Sequence, residues 1–247
     1  MGDFHPEAQV KGFCGCSFIA LICSRYVATF LAVSISIIMS QNYIFFVEGK
    51  ILTIVKNERY RHTVMAEIDN SERHLHLFDL QHELKQLVIA LQNNRVQTIS
   101  LFFNDIDSLL EKVKKCFKKH IIAAGGVVEN DNGDILFIFR NGFWDLPKGK
   151  LESDEDIANT AVREVIEETG IVNVELGKEL KTTYHTYREG KIFVLKETRW
   201  YAMKSNDTNL TPQTEEGITE LKWIPKNSLQ EYLDKSYPNI KVLMYDF

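Results

Sequence analysis

The sequence predicts an α+β fold, a mixed β-sheet flanked by helices and preceded by a small α/β segment. Three observations carry this. Short β-rich runs outnumber helical ones, their order is irregular, and each helical run carries one apolar stripe suited to packing on a sheet. With 45% apolar and 26% charged residues, 247 residues suit a domain of average size plus a smaller attached piece.

Residues 1–38 stand apart. The stretch from Gly12 to Met39 is strongly apolar, but Arg25 splits it into two runs, each shorter than the ~20 residues of a bilayer span. Burying Arg25 at a bilayer centre costs ~2.5–3.5 kcal/mol on insertion scales. The leader MGDFHPEAQVK mixes Asp3, Glu7 and Lys11 and lacks the basic character of a signal peptide. Three readings stay open, in this order: a dispensable extension, membrane contact through residues 12–39, and a buried apolar helix. Cys14, Cys16 and Cys23 lie here and Cys116 elsewhere, with no C-x-x-C pair. Neither a zinc site nor a disulfide framework is indicated, and a reducing, cytoplasmic setting is the default.

Residues 39–118 read as a small α/β domain. Tyr43–Val47 and Lys50–Val55 flank Glu48-Gly49, a two-residue hairpin signal. Helical spacing runs through Leu80, Leu84, Leu87 and Leu91 within 77–93, a strand follows over Thr98–Phe103, and a helix over Ile106–Phe117 turns Leu109, Leu110 and Val113 inward. The lysines at 114, 115, 118 and 119 read as a solvated helix end.

Residues 119–247 form the second domain. Strands over Ile121–Val128 and Asp134–Arg140 are joined by Asn130-Asp131-Asn132-Gly133, residues that tolerate positive φ. A loop over Asn141–Leu151 leads into a helix. Strand-like runs follow at Val172–Leu176, Leu180–Tyr187, Lys191–Lys204 and Glu220–Ile224, then a helix near Asn227–Leu233.

The helix after the loop concentrates the chemistry. Ser153 and Asp156 make a variant capping box, and Gly170 is placed to stop the helix in the left-handed conformation. Ile157, Ala158, Ala161, Val162 and Val165 share one face. Glu164 and Glu168 fall ~40° apart on the wheel, Glu167 ~60° to the other side and Arg163 ~40° beyond it. Like charges one turn apart cost ~0.2–0.5 kcal/mol in isolation. Such crowding is relieved by an arginine or by a divalent cation.

Gly149, Glu155, Arg163, Glu164, Val165, Glu167, Glu168, Gly170 and Ile171 fill the pattern G-x5-E-x7-R-E-U-x-E-E-x-G-U, in which U is bulky and aliphatic. The stretch resembles the Nudix hydrolase family over roughly His120–Leu233, which implies a Nudix-type mixed sheet. The resemblance implies metal-dependent hydrolysis of a phosphoanhydride, with Glu164 and Glu168 as principal ligands of Mg²⁺ or Mn²⁺, Glu167 as a further ligand or base, and the Gly149 carbonyl facing the metal. Arg163 and Glu155 would hold the glutamates in place. Beyond that pattern, Arg140, Lys148 and Lys150 are candidates for substrate phosphates, Glu216 or Glu215 for an added base, and Tyr184, His185 or Tyr187 for stacking on a base.

The loop WDLPKGKLE resembles the W-x-L-P-K-G-x-x-E form of diadenosine tetraphosphate and diphosphoinositol polyphosphate hydrolases. A nucleoside diphosphate-linked or dinucleoside polyphosphate substrate is the expectation, with homodimer formation open. The alternatives are an ADP-ribose or NDP-sugar pyrophosphatase, a non-catalytic nucleotide-sensing regulator, and an isopentenyl diphosphate isomerase, which wants a cysteine that this region lacks. A net charge of -5 argues against nucleic acid as the partner.

Overall fold

The computed structural model describes residues 42–56, 63–68, 71–76, 80–93, 95–245 and 247. Residues 1–38 lie outside them; among the described residues, no helix is long and apolar enough to cross a membrane.

Strands β1 (Asn42–Val47) and β2 (Lys50–Lys56) turn at Glu48 and Gly49, with φ of 50° and 77°, the left-handed pair that a two-residue hairpin needs. A second hairpin, β3 (Thr63–Ile68) and β4 (Ser71–His76), was not anticipated, because its charged sequence carries little apolar alternation. Helix α1 (Leu80–Gln92), strand β5 (Thr98–Phe103) and helix α2 (Ile106–Lys114) follow as expected, and the Asp105 carboxylate accepts the Ser108 N–H at 3.0 Å to cap α2. Lys114 is no solvated helix end. It pairs with buried Glu197 at 2.9 Å, a carboxylate also met by His120 and Arg199.

The next elements are β6 (Lys119–Glu129), β7 (Ile135–Arg140), β8 (Phe143–Asp145), β9 (Lys148–Lys150), α3 (Ile157–Thr169), β10 (Glu175–Glu179), β11 (Thr183–Glu189), β12 (Ile192–Lys204), β13 (Ile218–Ile224), α4 (Leu229–Asp234) and α5 (Pro238–Tyr245). One mixed sheet runs β13-β7-β6-β12-β11-β1-β2-β5-β3-β4, with β8, β9 and β10 paired to β7, β6 and β12. It is continuous across the junction at residues 118 and 119: β1 lies parallel to β11, with Phe45 opposite Tyr184 and Phe46 opposite His185. Residues Tyr43–Phe247 form one compact unit.

Three local departures have physical causes. Strands β8 and β9, at three residues each, are too short to show a period of two, so they read as loop. Helix α3 is capped by Asp156, which accepts from the N–H groups of Ala158 (2.9 Å) and Asn159 (3.2 Å); Asp154, at φ 67°, prevents a start at Ser153. Strand β10 begins later than expected because Val172 is 71% exposed and joins no strand.

The core gathers in clusters. One packs Ala161 and Val165 of α3 against Ala124, Val128, Leu136 and Met203. Another sets Trp144, Phe137, Trp200 and Ile224 against Leu233, Ile240 and Leu243. A third joins β1, β2 and β5 to α1 and α2, and reaches Tyr184 and Leu195 in β11 and β12. Alternation along β11 sends Tyr184 into that cluster, while His185 is half-buried and its imidazole is held down to about 4 by loss of hydration.

Adjacent glycines in β6 set how closely the loop and helix approach the sheet. A Cβ on Gly125 would stand 2.3 Å from the Pro147 carbonyl oxygen and 2.5 Å from the Lys148 Cβ; one on Gly126 would meet the Val165 Cγ2 at 2.9 Å.

Gly125→Ala should therefore lower stability by about 1–3 kcal/mol in urea unfolding, because the clash is partly with backbone. An unchanged midpoint would refute the close approach. For His185, the unfolded chain takes a proton near 6.5 and the folded chain only near 4. Stability should be intact above pH 6.5 and decline as pH falls toward 4, and His185→Gln should flatten that part of the profile. A variant profile parallel to the wild type would contradict it.

Candidate active site

The site starts from the turn at Asn141 (φ 53°) and Gly142 (φ 84°), which folds β8 back on β7. Strand β9 then pairs with β6, setting Gly149 opposite Ala124 and Lys148 opposite Gly125. Gly149 ends up against the glutamate-bearing face of α3. A Cβ there would fall on the Glu164 carboxylate, so any other residue would push that carboxylate out of its present position.

Arg163 organises the acids. Its Nε and Nη2 donate to the two oxygens of Glu155 at 2.9 and 2.8 Å, a bidentate pair. Nη1 donates to Glu164 at 2.8 Å and Glu167 at 3.0 Å, and Nη2 also reaches the Lys150 carbonyl at 3.1 Å. The bond from Arg163 draws the Glu155 carboxyl down to about 2.

The three glutamates differ in environment. Glu168 is 1% exposed, and burial pushes its carboxyl up to about 7 against the pull of Lys148. Its oxygens accept the Lys148 N–H at 2.9 Å and Arg140 Nη1 at 3.4 Å. Glu164 is largely buried and also raised by desolvation. Glu167 keeps 46% of its side chain exposed.

All three face a cavity of about 950 Å³, shared with Gly149, Lys150, Arg140 and Glu216. Arg140 Nη2 donates to Glu216 at 2.8 Å, bringing the loop before β13 to the site; Glu215 is not part of the lining. The Lys148 ammonium points to Asp145 and the Leu146 carbonyl rather than into open space. Tyr184 stands elsewhere: it is 3% exposed, stacked on Phe45 at 4.6 Å, and does not line the cavity, whereas His185 and Tyr187 do.

Lining residues also come from places the motif does not cover: Phe46, Glu48 and Gly49 at the β1–β2 turn, Asp145, Gln213 and Lys196. The readable signal for Lys196 was strand alternation, which places it on the face of Thr198 and Trp200, both buried.

The donors are hard oxygens of carboxylates and a carbonyl, the set that suits Mg²⁺ or Mn²⁺. The missing Cβ at Gly149 lets the Glu164 carboxylate lie against its backbone. Among the described residues, no three His, Cys, Asp or Glu side chains converge on one point, and Arg163 pairs with both Glu164 and Glu167. The donor chemistry thus fits a small divalent cation, which would share these oxygens with the arginine.

Residues 119–245 match the NUDIX domain. Nudix hydrolase 7 of Arabidopsis thaliana is 30% identical over 139 residues, covering 52% of this chain and 46% of the plant protein. A MutT-like protein of Streptomyces ambofaciens is 31% identical over 120 residues, or 48% of this chain and 72% of that protein. An 8-oxo-(d)GTP phosphatase of Mycolicibacterium smegmatis is 32% identical over 104 residues, or 42% and 30%. The chain thus spans about half the length of the plant relative, or less than a third of the mycobacterial one. With the domain match covering more than half of its residues, and the helix, loop and arginine of its pattern assembled around one cavity, the chain belongs to the Nudix family.

Proposed function

We propose that this protein hydrolyses a phosphoanhydride bond in a nucleoside diphosphate-linked or dinucleoside polyphosphate substrate, with Mg²⁺ or Mn²⁺ as cofactor. The observation that carries the reading is the placement of Glu164, Glu167 and Glu168 on one wall of a cavity that also holds Arg140, Lys150 and Gly149. An acidic wall alone would repel phosphates, and divalent cations, which Nudix enzymes generally use, reconcile the two. The mycobacterial relative's name supports a nucleotide substrate, and the W-x-L-P-K-G loop supports a polyphosphate.

In this reading Glu164, Glu168 and the Gly149 carbonyl would hold the ion, with Glu167 as a further ligand. When bound, the ion neutralises phosphate charge and lowers the pKa of attacking water. Arg163 fixes the carboxylates so that little reorganisation is left for the reaction. The Lys148 N–H orients Glu168, and the Lys148 ammonium, tied to Asp145, stiffens the loop that carries Gly149. Glu216 faces the cavity from the loop before β13 and accepts the proton of the attacking water, with Arg140 beside it as counter-charge. Arg140 and Lys150 offer positive charge to the substrate phosphates. No covalent intermediate is needed.

Phosphate release from a panel of dinucleoside polyphosphates, ADP-ribose, NADH and diphosphoinositol phosphates tests this. Turnover should appear with Mg²⁺ or Mn²⁺ and vanish with EDTA. Nucleotide binding without turnover on any of them would favour the sensing alternative. Glu168→Gln should cut kcat by about 10²-fold or more, the scale of removing a principal electrostatic group. A variant as active as the wild type would dismiss the assignment.

A further inference from the structure

The cavity is not built by the Nudix region alone. The domain match begins at residue 119, yet Phe46, Glu48 and Gly49 line the cavity from the β1–β2 turn. Their placement follows from the sheet. Strand β1 runs parallel to β11 with Phe46 opposite His185, and alternation turns Phe46 to the cavity side while Phe45 enters the core cluster on the other face. Two residues on, the same register carries Glu48 to the level of Tyr187, and both line the cavity.

The turn is fixed in place. Lys50, 7% exposed, donates its ammonium to the Glu48 carbonyl at 3.2 Å, which adds a clamp to the left-handed pair at Glu48 and Gly49. The Glu48 carboxylate keeps open acceptor positions, since Arg188 stands 4.0 Å off, outside hydrogen-bond range. Phe46, Glu48, Gly49 and Tyr187 bring no cation to this end of the cavity, the Lys50 ammonium is turned back on the turn, and Lys196 lies two strands away on β12. A further phosphate would meet a carboxylate here, whereas a hydroxyl would meet an acceptor. At about 950 Å³ the cavity stands near the top of the ~300–1,000 Å³ range of small-molecule pockets. Phosphates gathered at the glutamates therefore leave room for the group attached to them.

We propose that the β1–β2 turn walls the subsite for the nucleoside joined to the phosphates, and that Glu48 accepts hydrogen bonds from its ribose hydroxyls. Phe46 and Tyr187 supply the apolar surface around it. This rests on the nucleotide-hydrolase reading of the same cavity and narrows it to substrates whose sugar hydroxyls are free. Glu48 binds and selects; bond breaking stays with the glutamate helix.

Calorimetric titration of α,β-methylene-ADP, whose bridge resists hydrolysis, and of its 2′,3′-dideoxy counterpart into the full chain with Mg²⁺ tests this without needing turnover. The wild type should bind the ribose form about tenfold more tightly, the usual worth of a hydrogen bond to a charged group. Glu48→Asn is shorter and uncharged yet tolerates the left-handed conformation. It should bring the preference to within about twofold by weakening the ribose form alone. Melting temperatures without ligand should match; if Glu48→Asn does not fold, Glu48→Gly takes its place. A wild type that binds neither analogue, or both equally, overturns the proposal. So does a preference unchanged in the folded variant, or an equal loss for both analogues. Any of these results beside hydrolysis of the substrate panel would count against this subsite alone. A Glu48-dependent preference with no hydrolysis of any substrate would count against the hydrolase reading alone.

Discussion

Everything at this site depends on one guanidinium. Four acidic side chains, Glu155, Glu164, Glu167 and Glu168, crowd around two helical turns, and an isolated helix would resist that arrangement. Arg163 answers three of them at once and ties the helix to the loop through the Lys150 carbonyl. Because the guanidinium is planar and always charged, its bonds to Glu155 are bidentate and directional. A lysine would neutralise the same charge without fixing the angle between helix and loop.

Steric exclusion does the complementary work. Gly125 lets Pro147 and Lys148 lie on the sheet, Gly126 admits Val165, and Gly149 admits the Glu164 carboxylate. These are demands for the absence of a Cβ rather than for a backbone angle, since none of the three has positive φ. Loop, sheet and helix are thus brought to backbone contact, and Glu168 is sealed from water as a result. Its raised pKa follows from packing, with the Lys148 N–H as partial compensation.

What could be read in the chain beforehand follows from where the signal is local. Helix α3, its glycine stop and the glutamate arc are set by spacing within one turn or two, and they were legible. So was the β1–β2 turn, where Glu48-Gly49 is itself the signal. Strands of three residues were hidden, and the β3–β4 hairpin was hidden by charge. At the site, the split between Tyr184 and His185 depends on which face of β11 meets α2, a tertiary fact that alternation does not orient. Lys196 was missed for the same reason: its meaning comes from strands distant in sequence. The cap moved from Ser153 to Asp156 because competing acceptors three residues apart satisfy the same rule, and local backbone geometry chose between them.

The parallel pairing of β1 with β11 has a consequence for how the molecule withstands division. A fragment beginning at residue 119 would keep the glutamate helix and its loop, yet it would bare the β11 edge, along with Tyr184 and Leu195, which the preceding segment covers. Unpaired N–H and C=O groups beside apolar side chains form a template for strand addition. The segment before the Nudix region therefore acts as a built-in partner for that edge, occupying the position that a second molecule would otherwise take.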